Sequence, residues 1–240
     1  LAAVGALGAQ AQNLSGDAIR IGFITDVSGL YSDIDGAGGA EAIRMAIADA
    51  QSLFPGKKIE LLTADHQNKA DVASAKAREW FDQQGMDVLI GGTNSATALA
   101  MAQVAAEKKK PFFVIGAGSA RLTNDACTPY TVHYAYDTVA MANGTGAAVV
   151  RAGGKSWFFL TADYAFGPAR ESDTTKVVLA SGGKVAGSVK HPLSASDFSS
   201  FLLQAQASKA KIIGLANAGT DTINAIKQAG EFGIVKGGQS

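Results

Sequence analysis

The 240-residue chain carries 21 basic and 21 acidic residues, 28 glycines and a single cysteine, Cys127. That length buries a sizeable core, and the balanced charge lacks the clustered Lys/Arg footprint of a nucleic-acid binder. One cysteine rules out an internal disulfide and any paired-cysteine metal site.

Residues 1–12 (LAAVGALGAQAQ) are small and apolar and end in Ala9-Gln10-Ala11 ahead of polar Asn13. This is the small-x-small pattern of a signal-peptide cleavage site, so the expectation is a signal-peptide remnant on an exported protein. No other stretch approaches the eighteen or so apolar residues of a membrane span. The mature protein is therefore expected to be soluble.

From residue 19 the apolar run IRIGFIT reads as a buried strand, and the Gly/Ser/Asp-rich loop after it reads as a ligand platform. Gly29, Gly36, Gly38 and Gly39 are expected to leave that loop's backbone free to approach a ligand. Asp33 and Asp35 read as ordinary solvated aspartates of the same loop. A helix over 41–53 follows, with Ile43, Ala46, Ile47 and Ala50 on one face, and Pro55-Gly56 stops it. Then come a strand at 58–64, a helix at 69–84, a strand at 86–90, the turn GGTNS at 91–95 and a helix to Lys108. Lys108, Lys109 and Lys110 sit where cations favour a helix's last turn. A strand at 111–115 ends in GAGS at 116–119. Regular alternation of strand and helix predicts a parallel sheet covered on both faces.

The alternation breaks at 124–137, where NDACTP is turn-forming and 130–136 reads as a short extended segment. It resumes with helices at 138–151, 168–180, 197–207 and 221–231 and strands at 156–160, 184–190 and 211–215. The expected organisation is an N-terminal lobe at 19–136, a hinge near 135–138 and a C-terminal lobe at 137–240. That second lobe reads as incomplete, because a further strand would be starting where it stops.

Catalytic constellations are missing from this pattern. Gly116-x-Gly118 opens like a dinucleotide fingerprint, but Arg121 stands at the third glycine's place, and neither G-x-S-x-G nor a P-loop occurs. His66, His133 and His191 are scattered, and His66 beside Asp65 reads as a loop stabiliser. No metal, cofactor or catalytic residue is expected. What remains are polar loops with exposed donors. Ser95 at a helix start reads as an N-cap that could also present its loop to an anion, while Tyr31, Tyr164 and Phe166 offer aromatic walls.

The first-strand segment, ADHQNKAD at 64–71, GGTNS at 91–95, FFLTADYAFG at 158–167, DFSSFLLQAQ at 197–206 and LANAGTDTINAIKQA at 215–229 resemble the periplasmic substrate-binding proteins of branched-chain amino-acid type ABC transporters. The resemblance covers nearly the whole chain from residue 19. It implies an α/β fold of type I periplasmic binding protein kind: two doubly wound lobes, joined by a hinge, that close on ligand as a Venus flytrap. It also implies a monomer in the periplasm that is not an enzyme, with a small-molecule ligand and the membrane permease subunits of an ABC importer as partners. Carried over by position, the ligand-binding residues would be Ser95, Gly116, Ala117, Gly118, Ser119, Phe166, Asn217 and Ala218; Thr93 and Asn94 join them from the GGTNS turn, and Tyr31 and Tyr164 as aromatic walls. Gly118 stands where a Thr is usual, and no aromatic stands near Asn217 or Ala218. Those departures look similar to the branch that binds aromatic acids of the benzoate, hydroxybenzoate or cinnamate type. Branched-chain or other amino acids are the alternative ligands, and the ligand-sensing domain of a receptor is the alternative role.

Overall fold

The computed structural model describes Gly16 and residues 18–240; the segment at 1–12, read above as a signal-peptide remnant, lies outside the described residues. Its apolar runs form two sheets of parallel strands, and parallel neighbours require helical crossovers between them. The first sheet has the order β2-β1-β3-β4-β5. Its members are β1 (Ala18–Thr25), β2 (Lys58–Asp65), β3 (Val88–Gly91), β4 (Phe112–Val114) and β5 (Thr131–His133). The crossovers are α1 (Ser32–Asp35), α2 (Ala37–Ala50), α3 (Ala70–Gln83) and α4 (Ser95–Lys108). Strand order reverses beside β1, so the loops leaving β1 and β3 part there and open a crevice at the strands' carboxyl ends.

Ile24, Leu89, Phe112 and Val114 from these strands pack on Ala73, Ala77 and Trp80 of α3 and on Ala98, Met101, Ala102 and Ala105 of α4. The alanine faces let both helices lie close to the sheet. Burying each large apolar side chain stabilises by about 1.5–3 kcal/mol. Lys109 ends α4 in the left-handed conformation, with φ of +54°.

The second sheet has the order β7-β6-β8, from β6 (Ser156–Ala162), β7 (Lys184–His191) and β8 (Ile212–Ala216). Its helices are α5 (Thr138–Met141), α6 (Ala147–Arg151), α7 (Phe166–Ala180), α8 (Ser199–Ala207) and α9 (Gly219–Glu231). Strand alternation in β6 sends Phe158 and Leu160 to one face, against Phe198, Leu202 and Ala205, and Trp157 and Phe159 to the other, against Val150 and Val178. At β8's outer edge, Ser240 donates to the Lys211 carbonyl at 2.8 Å and accepts from Ile213 N at 2.7 Å. None of the described helices is long and apolar enough to cross a membrane.

Four expectations change. The 130–136 segment is not an isolated extended piece: β5 completes the first sheet, with Phe112 N donating to the Tyr130 carbonyl at 2.8 Å and Tyr134 N to the Val114 carbonyl at 2.9 Å. Gly38 and Gly39 are not loop residues but lie inside α2, and a Cβ on Gly39 would stand 3.0 Å from Phe23 Cζ, so this glycine serves helix-on-strand packing. Asp35 is no solvated loop aspartate, because it ends α1 and is buried, whereas Asp33 is exposed. The helix expected over 138–151 is interrupted by a π turn at Ala142–Gly146, where Asn143, Gly144 and Gly146 are poor helix formers.

Candidate functional site

The site is framed by polar contacts beneath the β1 and β3 loops. Asp26, just past β1, accepts from Gly29 N at 2.7 Å, Tyr31 N at 2.8 Å and Asn68 Nδ2 at 2.6 Å. Asn68 Oδ1 in turn accepts from Asn94 Nδ2 at 3.1 Å. Three loops are thereby tied through one buried carboxylate. His66 joins this frame as a loop stabiliser, its Nδ1 accepting from Asn68 N at 3.0 Å. Burial holds its imidazole down to about 4.

Ser95 is not the cap of α4. Asn94 takes that role, its Oδ1 accepting from Ala96 N at 2.8 Å and Thr97 N at 3.1 Å. An extended Asn ahead of the helix reaches these amides more directly than a residue already in the first turn. The amides expected to face an anion are thus partly taken, and the hydroxyls carry more of the donor role. Ser95 Oγ accepts from Ser119 N at 3.2 Å, which ties the β3 loop to the β4 loop and leaves its own proton to donate.

The β4 loop is pinned through its carbonyls. His133 Nε2 donates to the Ala117 carbonyl at 2.6 Å, and Thr138 N donates to the Gly118 carbonyl at 2.8 Å. Gly118 accounts for its own departure from Thr: a Cβ there would stand 3.1 Å from both Phe166 Cε2 and Tyr136 Cε2. Its bareness lets rings from the second lobe and from the connecting segment approach the first.

Across the seam, the Tyr31 hydroxyl donates to that of Tyr164, and the ring of Tyr164 lies 6.2 Å from that of Phe166. Burial drives both tyrosines well above the usual phenol range. Thr220 N and Oγ1 both donate to the Leu30 carbonyl at 3.3 Å. Tyr31, Tyr164, Phe166 and Gly118 are thus assembled at one interface between the lobes. Asn217 is engaged elsewhere: its Nδ2 meets His191 Nε2 at 3.1 Å and its Oδ1 accepts from Thr222 at 2.7 Å. His191 Nδ1 donates to the Pro192 carbonyl at 2.9 Å, so Nε2 is the acceptor. Ala218 is the extended residue ahead of α9.

Besides His66 Nε2, three buried atoms on the first-lobe side have no hydrogen-bond partner among the described residues: Asp35 Oδ2, Thr93 Oγ1 and Ser119 Oγ. Asp35 Oδ1 accepts from Thr25 at 2.7 Å. Burial raises the Asp35 carboxyl above its ordinary range, while the Thr25 and Thr93 hydroxyls pull it back. On the second lobe, Asp221 Oδ1 is likewise buried without a partner, and Asp221 helps line a cavity of about 280 Å³ shared with Gly29, Leu30 and Thr220. Asp26, Asp35 and Tyr136 were not anticipated, whereas Asp221 stands in the LANAGTDTINAIKQA segment. Asn68 was within reach, since it stands in the ADHQNKAD segment.

Two parallel α/β lobes with polar loops and aromatic rings meeting between them define a two-lobed binding protein. The model of the periplasmic binding protein family matches residues 18–240, and the chain belongs to that family. A periplasmic binding protein of Burkholderia mallei is 70% identical with a TM-score of 0.90, over 93% of this chain and 60% of that one. The periplasmic ligand-binding protein of a branched-chain amino acid ABC transporter from Burkholderia xenovorans is 36% identical with a TM-score of 0.74, over 92% and 59%. An ABC-transporter solute-binding protein of R. palustris, in complex with 4-hydroxybenzoate, is 25% identical with a TM-score of 0.83, over 93% and 61%. The chain therefore spans about 60% of the length of these solved relatives. No curated protein matches it.

Proposed function

We propose that this chain is the ligand-capturing part of a periplasmic solute receptor that serves an ABC importer, takes up an aromatic carboxylate and performs no chemistry on it. The observation that carries this reading is the set of three partnerless buried atoms, Asp35 Oδ2, Thr93 Oγ1 and Ser119 Oγ, on a floor bordered by aromatic rings. Buried polar atoms are costly to leave unpaired, and a bound polar ligand offsets that cost. A carboxylate suits the hydroxyl donors of Thr93, Ser95 and Ser119. An aromatic ring suits the walls made by Tyr31, Tyr164 and Phe166. The 4-hydroxybenzoate complex of the R. palustris relative supports the same ligand class.

Capture works by differential affinity. Ligand reaches residues of both lobes only when they meet, so binding favours the closed arrangement. The receptor acts in the periplasm as a monomer and delivers ligand to membrane permease subunits, the lobes hinging near residues 135–138.

One observation favours a second reading, an amino-acid ligand. The buried carboxyls of Asp35 and Asp221 are the kind of acceptor an ammonium group requires, and the B. xenovorans relative is described as a branched-chain amino acid transporter component. Calorimetric titration of the full-length protein with benzoate, 4-hydroxybenzoate and leucine separates the two. Binding of the aromatic acids alone is expected, and binding of leucine alone would overturn the aromatic reading. Ser95→Ala is expected to weaken benzoate binding by about 1–2 kcal/mol, between the usual net value of a neutral hydrogen bond and that of one to a charged group. Unchanged affinity would remove Ser95 from the site.

A further inference from the structure

Asp35 has a place in the site that neither its sequence context nor the family positions assign. It is 8% exposed, and Thr93 is 6% exposed. Asp35 Oδ2 and Thr93 Oγ1 each stand 3.0 Å from the point a Gly116 Cβ would occupy. A Cβ on Gly92 would stand 2.6 Å from the same Asp35 oxygen. Two bare glycines, on the loops that also carry Ser95 and Ser119, therefore flank a buried carboxyl oxygen and a buried hydroxyl whose polar neighbour is the other member of the pair and which make no further hydrogen bond among the described residues.

We propose that Asp35 and Thr93 contact the bound ligand directly, the Asp35 carboxyl donating a hydrogen bond to the ligand's carboxylate. The inference rests on the aromatic-carboxylate reading above. Its logic is charge balance. Two carboxylates brought together on one buried floor cannot both stay ionised, and one keeps a proton that bridges the pair. The groups facing Asp35 are Thr25 and Asp26 from the end of β1, Thr93 from the β3 loop and Tyr136 from the connecting segment. None of these is cationic. Burial already favours the neutral carboxyl, the direction the contact needs.

The proton balance is explicit. Below the pKa of free Asp35 the site already holds its proton and binds the anion without further uptake. Above it, each anion bound brings one proton from solvent, so affinity falls by about tenfold for each pH unit.

The test is benzoate titration of the full-length protein from pH 5 to 8.5, in buffers of different ionisation enthalpy. Expected are weakening affinity at the alkaline end and a buffer-dependent heat that reports proton uptake. Asp35→Asn should flatten the profile while keeping the acidic-limb affinity within about threefold, because an amide donates without titrating. Thr93→Val should weaken binding about tenfold while leaving the pH profile's shape intact. Should Asp35→Asn fail to fold by circular dichroism, the wild-type profile and buffer-dependent heats together with Thr93→Val still decide the matter. Benzoate binding with a flat wild-type profile, a profile that Asp35→Asn leaves unchanged, or full affinity in Thr93→Val overturns this contact alone. Failure of the wild-type protein to bind either benzoate or 4-hydroxybenzoate at any pH overturns the aromatic reading and the contact with it.

Discussion

His66 shows how a single buried side chain makes the frame of the site sensitive to acid. Its Nδ1 is committed to Asn68 N, its ring is fully buried, and its folded pKa of about 4 lies well below the ordinary 6.5. The unfolded chain takes up a proton at this residue before the folded one does. Its contribution to stability is therefore complete above about pH 6.5 and is lost as pH falls toward 4, a change of order 3 kcal/mol. Urea unfolding at pH 4.5 and pH 7 checks this: the wild type should lose stability at the lower pH, and His66→Gln should show a smaller loss. The loop-stabilising role of His66 was legible from its place at a strand end beside Asp65. The burial of Asp35 was not. The run SDID, three polar residues and an isoleucine, carries no periodicity, and packing against Gly92 and Gly116, far away in sequence, takes its last residue out of water.

At the scale of elements, α4 shows which half of a local signal sequence reasoning grasps. The pattern GGTNS ahead of an alanine-rich periodic run marks a helix start, yet two adjacent residues there can cap, and backbone angles decide between them. Asn94 is extended, with φ of −75° and ψ of 122°, and so it caps; Ser95 is left facing the neighbouring loop. Asn94→Ala is expected to cost about 1–2 kcal/mol, from the lost cap and the freed Asn68 carboxamide. Chemical denaturation reads this directly, and a change within a few tenths of a kcal/mol would show that the cap is dispensable. Strands and helices elsewhere followed apolar runs and alanine faces closely. Boundaries slipped where glycines sit inside helices, as in α2, or where a π turn interrupts one, as between α5 and α6.

For the whole molecule, the two sheets meet through a small number of polar contacts, and these set the balance between open and closed lobes under the proposed mechanism. Tyr164→Phe deletes the hydroxyl paired with Tyr31 while keeping the ring against Phe166. Without ligand, this variant is expected to favour the closed form less, by about 0.5–1.5 kcal/mol. Small-angle scattering should report a larger radius of gyration than the wild type, and identical radii would show that the pair does not govern closure. The two-lobe plan was legible because the strand–helix alternation runs twice with a break between. The interface was not, since contacts such as Thr220 with Leu30 join residues 190 positions apart. That last contact uses the Leu30 main-chain oxygen as its acceptor, and every amino acid has one. A substitution at position 30 therefore leaves this tie between the lobes in place and changes only the buried side chain beside it, so that what the cleft wall is made of and what holds the lobes together can vary separately.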